Sequence, residues 1–155
     1  MTHDGPDAAG SRRAEAGRIL LVGGALGVVA AAYLLFLRHR TDYPGHLLAG
    51  YGATLGALGL LPFLCPRAAW PRLGPALVTL GTLTSVVVGL GLEATTFRIA
   101  AFDPVDACNQ SLGAVVAGLS VLFVATPDRP PPATVAVGIL LTIAATAAGF
   151  LLAFH

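Results

Sequence analysis

The sequence predicts an all-α, polytopic membrane protein built as a bundle of five transmembrane helices. Three observations carry this. Only 11% of residues are charged and 55% are hydrophobic, whereas a soluble domain usually carries about 25% charged residues. Five uncharged runs, 19–37, 47–65, 76–92, 107–126 and 130–154, each come near the ~20 residues that cross a bilayer. Pro44, Pro75, Pro104 and the group Pro130 to Pro132 stand at the starts of runs, where a missing N–H costs nothing.

Taken in order, residues 1–17 are polar and rich in Gly and Ala, and are expected to be disordered or weakly helical at the membrane surface. Arg12 and Arg13 do not make a twin-arginine export signal, because no Phe-Leu pair follows. The apolar run after them also exceeds the roughly 7–15 residues of a signal core. The rest, 18–155, reads as one transmembrane helical domain with helices over about 18–38, 45–65, 75–96, 104–126 and 132–154. The least defined boundary is the short turn of Pro127 to Pro132 between the last two.

Arginine sets the expected orientation, since the chain has no Lys. With the N-terminus inside, Arg12, Arg13, Arg18, Arg67, Arg72 and Arg129 are cytoplasmic, against Arg38, Arg40 and Arg98 outside. Arginine excess marks the cytoplasmic side. The N-terminus is therefore expected in the cytoplasm and the C-terminus outside a bacterial inner (plasma) membrane. Pairs of small residues at four-residue spacing, Gly23 and Gly27, Gly52 and Gly56, Gly113 and Ala117, and Ala145 and Gly149, favour close helix packing. Tyr33, Tyr43, Tyr51 and Trp70 fit interfacial anchoring.

The polar residues gather at one end. The loop at 38–44 and the loop at 95–102 lie on the same membrane face whichever way the protein points. Asp42 and His46 thus share a face with Asp103 and Asp106, and Glu93 joins them, about 27 Å along its helix from Pro75. Three helical stripes end there: His46, Gly50, Ala53 and Ala57; Thr79, Thr82, Ser85, Gly89 and Glu93; and Asp106, Gln110, Gly113, Ala117 and Ser120. Packed together they would aim His46, Glu93 and Asp106 into a shared cavity.

Each residue also has a plainer role. Asp103-Pro104-Val105-Asp106 has the form of a helix start, with Asp103 as N-cap and Asp106 in the first turn. Asp42, two residues before Pro44, also fits a cap, and His46 fits an interfacial histidine. Glu93 follows the apolar stretch 89–92 and has no capping role, and Arg98 can pair with any of these acids or sit among headgroups. Cys65 and Cys108 fall on opposite membrane faces, farther apart than the ~7 Å between Cα atoms that a disulfide tolerates. The chain has no Cys-x-x-Cys, His-Glu-x-x-His or phosphate-cradling Gly loop, and no Gly-x-Ser-x-Gly turn of a serine hydrolase. A net charge of +1 leaves no electrostatic footprint for nucleic acid.

Asp42-x3-His46, the isolated Glu93, and Asp103-Pro-x-Asp106 leading to Gly113 resemble VanZ-like small membrane proteins and the related YjdF-like proteins over Thr41 to Gly118. The family pattern is Asp-x3-His, then Glu, then Asp-x3-Asn-x2-Gly. Asp106 and Gly113 keep that spacing, while Gln110 stands at the Asn position and Asn109 one residue early. The Gln and Arg that often follow the family's Glu have no clear counterpart, Arg98 being the nearest. The resemblance implies a bacterial, envelope-embedded protein, in one branch tied to glycopeptide resistance, and it supplies no established activity.

The residues admit three readings. One is a binding protein whose polar outer-face cavity takes an envelope component, lipid headgroup or partner protein without turnover, through Asp42, His46, Glu93, Asp103, Asp106, Asn109 and Gln110. It needs no cofactor or metal, and its partners are membrane lipids, an envelope precursor or another membrane protein. The second is an intramembrane hydrolase or transferase acting on a lipid-linked or phosphate-bearing substrate, with His46 as general base and Glu93 or Asp106 orienting it. A divalent cation such as Mg²⁺ on Asp103, Asp106 and Glu93 belongs only to that reading. The third is a proton-coupled transport subunit with Glu93 as the titrating group.

Overall fold

The computed structural model describes residues 6–66, 68–95, 102–124 and 132–153. They form five helices: α1 (Pro6–Phe36), α2 (Asp42–Leu64), α3 (Trp70–Thr95), α4 (Pro104–Val124) and α5 (Pro132–Ala153). α2 to α5 are each long and apolar enough to cross a membrane, while the apolar part of α1 is the shorter stretch Leu20–Phe36. The protein is an all-α bundle and a multi-pass membrane protein.

Four helices begin earlier than their apolar runs, α1 and α3 by the widest margins. α1 starts at Pro6, so most of the polar segment expected to be disordered or weakly helical belongs to a helix; Ala8, Ala9, Ala14 and Ala16 are strong helix formers. α3 starts at Trp70, whose amide donates to the Pro66 carbonyl at 3.1 Å. Pro71 sits in the first turn, where proline is tolerated, and Pro75 lies inside the helix. Of the turn of Pro127 to Pro132, all but Pro132, the first residue of α5, lies outside the described residues.

α2 is the axis of the bundle and touches all four other helices. Its side towards α4 is closed by two glycines. A Cβ on Gly50 would strike the Gln110 carbonyl oxygen, and one on Gly113 would strike the Leu47 carbonyl oxygen. Its side towards α5 repeats the device. A Cβ on Gly52 would lie 2.7 Å from the Thr146 nitrogen, and one on Gly149 would lie 2.8 Å from the Ala49 Cα. α3 meets α4 where Gly118 faces the Thr82 hydroxyl. Small residues let backbones meet in a solvent that supplies no hydrophobic drive between helices.

Two aromatic residues expected at the interface are in the core instead. Tyr51 packs with Leu26, Leu47, Leu55 and Ala117, and Trp70 packs with Leu58, Cys65 and Val78. Ala53, Ala57 and Thr79, expected on the packed stripes, are exposed on the bundle's outside. α2 turns one flank to α4 and the other to α5, which leaves the Ala53 and Ala57 side to the membrane. Cys65 and Cys108 are both free thiols.

The packing sets a test between two glycines of the set. Gly113→Ala is expected to destabilise the protein by about 1–3 kcal/mol, the usual cost of overpacking. Gly59→Ala, with nothing within 4 Å of the new Cβ, should be neutral or stabilising by up to ~1 kcal/mol. Thermal unfolding in one detergent reads both. Equal effects would remove the α2–α4 contact as the source.

Candidate functional site

The end of the bundle where α2 and α4 begin and α3 finishes carries two charged groups. The outer one is built on Arg40, in the α1–α2 turn. Its Nη2 donates to Asp42 Oδ2 at 3.0 Å and to Asp103 Oδ2 at 2.9 Å, and its guanidinium lies 3.9 Å above the centre of the Tyr43 ring. Asp103 is also the N-cap of α4, accepting from the Val105 amide through Oδ1 at 2.8 Å. One carboxylate therefore starts α4 and ties it to the α1–α2 turn. The N-cap of α2 is Thr41, which makes no side-chain cap bond, and Asp42 follows in the first turn, where its carboxylate accepts from Arg40.

Charge and hydrogen bonding reinforce each other in this clasp. The Val105 amide first, and then Arg40, hold Asp103 below the ordinary aspartate value of 3.8. Asp42 first, and then Asp103, bind the Arg40 proton more firmly than usual. The pairs are about one-third exposed, so water and salt screen them and each adds little net stability.

The inner group is His46, Glu93 and Asp106. His46 Nδ1 lies 4.0 Å from Glu93 Oε2, and His46 Nε2 lies 3.6 Å from Asp106 Oδ2. Three helices thus bring three titratable side chains to one point. Both distances are in ion-pair range but too long for hydrogen bonds. Glu93 is 5% exposed and Asp106 8%, and neither Glu93 Oε2 nor Asp106 Oδ1 has a hydrogen-bond partner among the described residues. A buried acceptor in that state costs the desolvation of the group without return, about 1–3 kcal/mol or more for a charged one. Such sites are natural places for an additional bound group.

The remaining candidates lie close by. Asn109, one turn after Asp106 and 6% exposed, accepts from the Tyr33 hydroxyl at 3.4 Å, while its Nδ2 has no partner among the described residues. Gln110 lays its amide over Gly89, where a Cβ would meet it, and so faces α3. Sequence reasoning missed Arg40 and Tyr33. Arg40 entered only as a charge for orientation, although its place two residues before Asp42 was the available signal. Arg98 lies outside the described residues.

Three of the stripe hydroxyls, Thr79, Thr82 and Ser120, and Ser111 beside them are turned to their own helix backbones, each donating to the carbonyl four residues earlier. Among the described residues no three His, Cys, Asp or Glu side chains gather as a metal-ion site. Asp103, named with Asp106 and Glu93 as a Mg²⁺ ligand under the enzyme reading, is ion-paired with Arg40.

Comparison with protein-family models, with curated proteins and with solved structures finds no match for this chain.

The clasp has a pH signature. Because the folded protein lowers the Asp103 pKa below 3.8, its contribution is complete above that value and is lost as pH falls through the lower, folded value. Asp103→Ala should therefore be less stable than the parent at neutral pH, and the gap should narrow in acid. Unfolding midpoints at several pH values check this. A gap that stays constant into acid would show that the Asp103 charge contributes nothing.

Proposed function

We propose that this is a membrane-embedded binding protein. Its polar site at one end of the bundle takes an envelope component, lipid headgroup or partner protein without turnover. The observation that carries the reading is the pair of buried carboxylate oxygens, Glu93 Oε2 and Asp106 Oδ1, left without partners on either side of His46. Hydrogen bonds of a bound polar group would satisfy them, and the close helix packing beneath holds the three side chains ready. The Arg40 clasp supports the arrangement by fixing the α1–α2 turn to the start of α4.

The arginine distribution supports a cytoplasmic N-terminus in a bacterial inner membrane, with the site on the outer side. The likeness of Asp42, His46, Glu93, Asp106 and Gly113 to the VanZ-like pattern supports a place in the cell envelope. A C-terminal phosphatase fusion reads the orientation: activity agrees with it, and a silent fusion inverts it.

A second reading has one observation in its favour. His46 has a carboxylate facing each ring nitrogen, and a carboxylate that orients an imidazole is a recurring part of general-base sites. Under that reading a lipid-linked or phosphate-bearing substrate is hydrolysed or transferred.

The discriminating experiment compares molecules that co-purify with the parent protein and with His46→Ala, extracted and identified by mass spectrometry. The binding reading expects a polar envelope molecule retained by the parent, depleted at least about tenfold in the variant, and chemically unchanged on incubation. Identical inventories from both proteins would contradict it. Conversion of the retained molecule by the parent alone would favour the enzyme.

A further inference from the structure

The binding reading leaves the chemistry of the occupant open, and the geometry of the trio narrows it. We propose that Glu93, His46 and Asp106 form the seat of a primary ammonium group, supplied by the headgroup of an aminophospholipid that approaches from the lipid side of α2. This rests on the binding reading above and deepens it.

Charge is the first argument. Arg40 is committed to Asp42 and Asp103. Among the described residues, the charged contacts of Glu93 and Asp106 run only to His46. Among the described residues, two buried carboxylates share one imidazole, so these groups are short of positive charge even when His46 is protonated. A charge deficit inside a low-dielectric bundle favours a cationic occupant.

Hydrogen bonding is the second. The unpartnered atoms include two acceptors, Glu93 Oε2 and Asp106 Oδ1, and one donor, Asn109 Nδ2. A primary ammonium brings three N–H donors for the acceptors. The phosphate of the same headgroup brings acceptor oxygens for a donor such as Asn109. A quaternary ammonium has the charge but no N–H, and would leave both acceptors unsatisfied. The trio therefore discriminates by donor count and size as well as by charge. The side chains of Glu93 and Asp106 are only 7% and 12% exposed, so a small group enters more readily than a bulky one.

Depth and access point to a lipid. Asp106 lies in the first turn of α4, Glu93 lies near the end of α3, and His46 is just inside the start of α2. This is the level at which headgroups lie, at the end of the helical spans. His46, Ala53 and Ala57 share one face of α2, and both alanines are exposed on the bundle's outside. The partly exposed side of His46 opens at the top of this face, Gly50 closes it against Gln110 one turn on, and the membrane-facing Ala53 and Ala57 beyond give an acyl chain a place to lie.

The test titrates the purified full chain with dioctanoyl phosphatidylethanolamine, dioctanoyl phosphatidylcholine, dioctanoyl phosphatidylglycerol and free ethanolamine, read by native mass spectrometry. The ethanolamine lipid should bind at least about tenfold more tightly than the choline lipid, as expected for lost hydrogen bonds to charged acceptors. Glu93→Gln and Asp106→Asn should each shrink that preference, and the double variant should abolish it, with helical circular dichroism retained. Should Glu93→Gln fail to fold, Asp106→Asn carries the test from the other side of the imidazole. Equal binding of the two zwitterionic lipids, or a preference that survives the double variant, would overturn the ammonium seat. Free ethanolamine bound as tightly as its lipid would overturn the lipid source. A Glu93-dependent preference for the glycerol lipid would sink the ammonium assignment and leave the binding reading standing. Headgroup binding indifferent to Glu93 and Asp106 would remove both.

Discussion

The close approach of α2 and α4 is the constraint from which the rest of the structure follows. Gly50 rests against the Gln110 carbonyl and Gly113 against the Leu47 carbonyl, so neither position has room for a side chain. That contact fixes the register of the two helices. His46, one turn before Gly50, then arrives opposite Asp106, two turns before Gly113. α3 is docked on α4 through Gly118 and Gly89, and its last turns carry Glu93 to the other side of the same imidazole. Packing of glycines against backbone thus decides which titratable groups meet.

The bundle divides its charges into two groups of different physical character. In the Arg40 clasp, hydrogen bonds are made and the partners are partly solvated, so the clasp organises the helix ends with little net energy. In the trio, the partners are nearer burial, the distances are longer than hydrogen bonds, and acceptors are left over. A structural ion pair in a membrane would be expected to close those distances, because unsatisfied polar groups in hydrocarbon are costly. Ionisable groups inside spans are instead associated with ligand, ion and proton sites. The contrast between the two groups separates the functional proposal from a purely architectural one.

Much of this was legible in the sequence. The charge deficit and the five apolar runs led to five helices, and parity together with helical spacing placed His46, Glu93 and Asp106 at one end. The sequence could not reveal how α2 divides its surface between α4 and α5. Ala53 and Ala57 continue the His46 stripe by spacing, yet they are exposed, because the packed flanks lie to either side. Tyr51 and Trp70 look like interfacial aromatics by composition, and only the packing shows them filling the core. The Asp103 cap followed from Asp-Pro at a helix start, whereas its second partner, Arg40, is remote in sequence and met only through the fold.

The central claim is that the trio is a site maintained by the scaffold at a cost in stability, and that it does not serve as a tie holding the bundle together. The most direct measurement is the unfolding temperature, in one detergent, of the combined variant His46→Gln, Glu93→Gln and Asp106→Asn. The substitutions keep approximate shape and remove every titratable group from the trio. Replacing a buried ionic cluster as a whole is often neutral or stabilising by about 1–4 kcal/mol, whereas losing a true structural pair destabilises. The account predicts a variant at least as stable as the parent. A clear fall in unfolding temperature would contradict it and make the three residues a structural bond between α2, α3 and α4.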